Sequence, residues 1–171
     1  MPSKNTLLSK TYHEKSFPYI NITTCQLTSA NNPELIINYS NEPQPYYKET
    51  KLVLAHKMYG FPYLDADGTY GMSNRDNYVI LQKNKSLEDL KQIKAFLSTK
   101  TALYIFEATR YRMKYLEKYA FEFIPDINNL PNFPPAEEIN DKTIATYFGL
   151  DEKDEHCIAD FNKRTNYGSF I

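Results

Sequence analysis

The sequence predicts an α+β domain: a mixed, largely antiparallel sheet from the N-terminal half, packed against a helix pair and finished by two short C-terminal helices. Two observations carry this expectation. Short β-branched and aromatic runs separated by turn residues fill the first half, and apolar residues at helical spacing begin abruptly at Ser86. With 171 residues and 20.0 kDa the chain suffices for one domain, and 42% hydrophobic with 24% charged residues disfavours disorder or a coiled-coil rod. Residues 1–15 read as a flexible N-terminus, 16–162 as the domain and 163–171 as a flexible tail.

Taken in order, FPYINITTCQL (17–27) and ELIINYS (34–40) read as strands joined by Ser-Ala-Asn-Asn-Pro. KLVLAHKM (51–58) is mostly apolar, the pattern of a central strand buried on both faces. Asp65-Ala66-Asp67-Gly68 tolerates left-handed backbone, so Tyr63-Leu64 and Thr69-Tyr70 are expected to pair as a hairpin. NYVILQ (77–82) is a further strand. Ser86-Leu87-Glu88-Asp89 is a capping box that opens a helix to about Ser98. Ala102, Phe106, Thr109, Met113, Leu116 and Ala120 then form one stripe of a second helix, so that the pair spans 86–120. FEFIPDINNLPNFPP reads as an extended crossing, DKTIATYFGL as a helix stopped by Gly149, and Asp151 as the N-cap of EKDEHCIADF.

Charge is segregated along the chain. The net charge is −1, but Lys48–Lys118 holds 13 Lys or Arg against 8 Asp or Glu, whereas Glu137–Asp160 holds 2 against 8. No apolar stretch approaches a membrane span and the N-terminus lacks a secretion signal, so an intracellular protein without a membrane partner is expected, in the cytoplasm or, for a viral protein, in the host cell or virion. Cys25 and Cys157 read as ordinary thiols.

Phosphate loops, dinucleotide fingerprints, nucleophile elbows and paired zinc histidines are missing. His56 reads as a core or strand-end histidine, and His156-Cys157 as residues of a surface helix. Asp126, Asp151 and Lys153 match the loose PD…(D/E)xK nuclease pattern, in which carboxylates hold Mg²⁺, although capping alone explains both aspartates. Arg110, Tyr111, Arg112 and Lys114 interleave cations and a ring, which suits phosphate contact as well as a solvated helix face. Met58–Tyr63, which holds Tyr59 and follows Lys57, reads as a contact loop or a packed corner, and Asn74, Arg75 and Asn77 form either a hydrogen-bonded turn or a group able to read purine edges.

The order of these pieces resembles a known family. KLVLAHKMYGFPYLDADGTYGMSNRDNYVIL, the helix pair, FEFIPDINNLPNF and IATYFGLDEKDEHCIADF, preceded by the two opening strands, are similar to the C-terminal target-recognition domain of TaqI-like, gamma-class N6-adenine DNA methyltransferases. That family includes type II restriction enzymes that join such a methyltransferase to a nuclease, and relatives in large DNA viruses. The resemblance covers roughly residues 16–162 and implies double-stranded DNA as partner, held against a separate methyltransferase catalytic domain or subunit. It implies S-adenosylmethionine only with that domain, and no cofactor in this chain. The glycine-rich cofactor loop and the [DN]PP[YF] motif are absent; Asn31-Asn32-Pro33-Glu34 and Phe133-Pro134-Pro135-Ala136 do not replace them. The expected DNA-binding residues are therefore Lys57, Tyr59, Asn74, Arg75, Asn77, Arg110, Tyr111, Arg112 and Lys114, with no catalytic or metal-binding residue. A second expectation is a protein-interaction module that keeps the fold and docks through acidic 137–160.

Overall fold

The computed structural model describes residues 6–26, 34–56, 62–109 and 115–163. It has the expected α+β class, with its strands in two sheets rather than one. The first sheet has the order β1-β3-β2-β6, from Leu8–Ser9 (β1), Tyr19–Gln26 (β2), Glu34–Ser40 (β3) and Gly71–Met72 (β6). Its pairs are antiparallel except β2 with β6, which is parallel. The β2–β3 register shifts between Ile22 and Thr24, leaving Thr23 as the extra residue of a bulge. The pairing of β1 ties Leu8 and Ser9, part of the expected N-terminal appendage, to Ser40 and Tyr39.

The second sheet is antiparallel, with Lys51–Ala55 (β4) between Tyr63–Asp65 (β5) and Asn77–Leu81 (β7). All five residues of β4 are buried, as the apolar run predicts. Strand alternation explains how both faces are covered. Leu52 and Leu54 join the helical core with Leu90, Phe96, Phe106 and Ile144, whereas Val53 and Ala55 join Ile22 and Cys25 of β2 and Met72 of β6. Strand β4 thus lies in the middle layer of three.

The short stretch from Gly71 to Asn77 belongs to both sheets: its start pairs with β2 and its end with β4. Within it, Asn77 Nδ2 also donates to Thr23 O at 2.9 Å. The expected hairpin between 63–64 and 69–70 does not form. β5 pairs with β4 instead, and the Asp65 carboxylate accepts from the Thr69 and Tyr70 N–H groups at 2.9 and 3.0 Å, taking donors that a strand would use. Gly68 does adopt the left-handed backbone that its turn requires, with φ +67°.

Lys51 is the one cation buried in this sheet core among the described residues. Its Nζ lies 2.5 Å from Asp65 Oδ2 and also donates to Tyr46 O and Glu49 O, so the 46–49 loop closes over the buried pair.

The first helix, Leu87–Leu97 (α1), opens on the expected box: Ser86 Oγ accepts from Asp89 N, and Asp89 accepts from Ser86 N. Hydrogen bonding to the carboxylate, from the Ser86 backbone N–H first and from the Ser86 side chain second, holds the Asp89 carboxyl below its ordinary range. The second helix, Lys100–Ala108 (α2), is shorter than the predicted stripe. Thr109 caps it with its hydroxyl on Ile105 O, and Leu116 and Ala120 reach the same core from outside the helix. The crossing is not simply extended: 3-10 turns at Lys118–Phe123 and Ile127–Asn129 interrupt it, and a third, Ala136–Glu138, follows it. The last two helices, Asp141–Phe148 (α3) and Glu152–Lys163 (α4), match expectation. Gly149 ends α3 at φ 68°, and Asp151 Oδ1 accepts from the N–H groups of Lys153 and Asp154.

Candidate nucleic-acid interface

Three of the nine predicted DNA-binding residues, Asn74, Arg75 and Asn77, lie among the described residues; Lys57, Tyr59, Arg110, Tyr111, Arg112 and Lys114 lie outside them. The three described residues occupy the turn from β6 into β7. Asn74 Oδ1 accepts from Asp76 N at 3.1 Å and from Asn77 Nδ2 at 3.0 Å. Asn77 donates to Thr23 O as well, and its Oδ1 is buried without a hydrogen-bond partner among the described residues. The Asn77 amide therefore holds the turn, as the hydrogen-bonded alternative of the sequence reading has it. Between them Arg75 is exposed and has no ion-pair partner among the described residues. It borders a cavity of about 350 Å³ with Pro45, Tyr46, Met72 and Tyr78.

The turn meets two other segments at His56. His56 N donates to Asp76 O at 2.9 Å, and Leu116 N donates to His56 O at 2.6 Å. The His56 ring stacks on Tyr115 at 5.1 Å and meets Tyr78 edge-on at 5.5 Å. Tyr78 completes the junction by donating its hydroxyl to Leu116 O at 2.7 Å, while burial and then the Glu117 carboxylate raise its pKa, keeping the phenol a donor. His56 is thus the half-buried strand-end residue that the sequence predicts. Along the chain, Lys57 and Tyr59 come one and three residues after it, while Arg112 and Lys114 come three residues and one residue before Tyr115. The described flanks of all three predicted segments are therefore bonded to one another at one end of the second sheet. Tyr115 and Tyr78 were not legible as part of this junction, because nothing in the sequence spacing links positions 56, 76 and 116.

Four cations of the basic middle serve the fold instead. Lys51, Lys85, Lys91 and Lys100 pair with Asp65, Asp126, Glu88 and Asp141 respectively, and none belongs to the predicted set. No protein-family model, curated protein or solved structure matches the chain. The resemblance to target-recognition domains consequently rests on motif order.

Elsewhere, a largely apolar cavity of about 440 Å³ lies against α4, lined by Phe96, Ile105, Phe123, Phe148 and Ile158 together with Asp154. Among the described residues no group of three or more His, Cys, Asp or Glu is suited to a metal ion. Asp126 receives Asn129 Nδ2 and faces Lys85, while Asp151 caps α4. His156 pairs with Asp160 along exposed α4. No described helix is long and apolar enough to cross a membrane.

Proposed function

We propose that the chain binds double-stranded DNA without chemistry of its own, as the specificity part of an adenine-N6 methyltransferase or restriction-modification system. The observation that supports this reading is the His56 junction, where the flanks of three cation-bearing segments, two of them with a tyrosine, are joined. Phosphates need several cations on one surface, and aromatic and guanidinium groups beside them suit base contact. Arg75, presented by the Asn74–Asn77 turn, is the exposed described cation of this set. On this reading S-adenosylmethionine enters only with a separate catalytic domain or subunit, since the sequence lacks the family's glycine-rich cofactor loop and [DN]PP[YF] motif.

The test is a polarisation titration with random duplex at several salt concentrations. Arg110→Ala combined with Lys114→Ala should weaken binding and flatten the slope of log K against log salt by about 2, roughly one unit for each lost phosphate contact. An unchanged slope would remove that segment from the interface, and no micromolar binding at low salt would defeat the reading.

A second reading, a protein-interaction module, is favoured by the cavity against α4. Its largely apolar lining and the acidic residues Glu152, Asp154 and Glu155 in the first turn of α4 suit a basic partner with an apolar anchor. Retention of a partner by wild-type protein, lost in Phe123→Asp, would support it.

A further inference from the structure

Among the described residues, strand β3 is an edge strand over most of its length. β1 covers only Tyr39 and Ser40, and β2 covers the other side. The parity of the free side follows from one bond: Asn41 N donates to Leu7 O at 3.3 Å, so residues 41, 39, 37 and 35 turn their N–H and C=O toward the β1 side. Ser9 meets Tyr39. Leu35 and Ile37 are left with outward backbone groups that no described strand pairs.

The surface around this edge is unusually apolar. Leu7, Leu8, Tyr12, Ile36 and Ile37 are five of the nine exposed large hydrophobic residues among those described, and Leu7 is 61% exposed. An open, uncharged, aliphatic edge is a template for another strand, and proteins ordinarily blunt it with charge, proline or a covering element. The stretch from Leu35 to Ile37 has neither charge nor proline, and no described strand pairs with its outward side.

We propose that the free edge of β3 pairs with β3 of a second copy of this chain, in an antiparallel two-fold dimer centred on Ile36. The register is forced rather than chosen. Centring on Ile37 would require Tyr39, which β1 already holds; centring on Ile36 uses the two free residues and no other described residue's outward groups. Leu35 then faces Ile37 of the second copy as a hydrogen-bonded pair, twice by symmetry, and Ile36 faces its own copy across the axis. Self-pairing also suits the charges, because Glu34 comes opposite Asn38 and never opposite itself. Both faces of the junction carry aliphatic cross-strand pairs, the combination that stabilises sheets.

Sedimentation equilibrium over the micromolar range tests this. The wild-type chain should approach twice its 20.0 kDa mass. Ile37→Pro should abolish the dimer while leaving the circular dichroism spectrum unchanged, since that N–H points away from β2 and an edge position tolerates proline. Ile36→Lys should raise the dimer Kd by about tenfold or more by placing two ammonium groups across the axis. Ile36→Cys, on oxidation, should give a disulfide-linked dimer. A monomer throughout the range would overturn the proposal, and so would a dimer that withstands both Ile37→Pro and Ile36→Lys. Duplex binding by the Ile37→Pro monomer is a separate readout, so failure of this inference leaves the DNA reading to its own test.

Discussion

The Lys51–Asp65 pair shows how much a single buried contact can demand of its neighbours. Both side chains are essentially inaccessible to water, and Lys51 Nζ satisfies itself on two loop carbonyls as well as the carboxylate. Removing one member leaves the other charged and dry, which in comparable pairs costs about 3–5 kcal/mol. Lys51→Ala should therefore lower the urea midpoint sharply, whereas Lys51→Met with Asp65→Asn should recover part of the loss. Sequence alone made Lys51 one more cation of a basic stretch; its burial depends on Asp65 arriving from β5, a pairing that local pattern does not encode. Cys25 offers a second residue-level test. It is fully buried, and desolvation pushes its thiol up to about 12 from 9.0. Because the folded value lies above the unfolded one, the neutral thiol's contribution is complete below pH 9.0 and is lost as pH rises toward about 12. A disulfide-exchange reagent at neutral pH should modify exposed Cys157 and reach Cys25 only after denaturant is added.

Among the elements, those fixed by their own termini were readable and those fixed by distant partners were not. The Ser86 box, the Gly149 stop and the Asp151 cap all stand where their residues imply, since each acts within one helical turn. Ser86→Ala should cost about 1 kcal/mol in chemical denaturation through loss of the Asp89 N–H bond. The two left-handed glycines separate backbone strain from crowding. At Gly149 an added Cβ meets nothing within 4 Å, whereas at Gly68 it would lie 2.6 Å from the Lys48 backbone carbon. Gly149→Ala should thus cost about 1–2 kcal/mol and Gly68→Ala distinctly more, measured in the same way. The second helix misled for a physical reason. Leu116 and Ala120 keep the helical period because they fill the core that α2 fills, though they do so from a bonded loop and a 3-10 turn. Apolar spacing reports burial, and continuity of helix is a further condition.

At the scale of the molecule, the three-layer arrangement explains the fully buried β4 that the sequence marked as central. The sequence did not disclose the division into two sheets, because β6 is only two residues long and pairs in parallel with a strand far back in the chain. The candidate interface was legible as three separate patches, while the meeting of their described flanks at His56 came from backbone bonds across the fold. That meeting and the charge segregation are what the salt titration interrogates. The stretch from Gly71 to Asn77 carries one further consequence. Since it is stitched into β2 at one end and β4 at the other, neither sheet can open without pulling on its neighbour. Native-state amide exchange should accordingly report a single cooperative unit, with Ile22 and Val53 protected to the same free energy and released together by the same dose of denaturant.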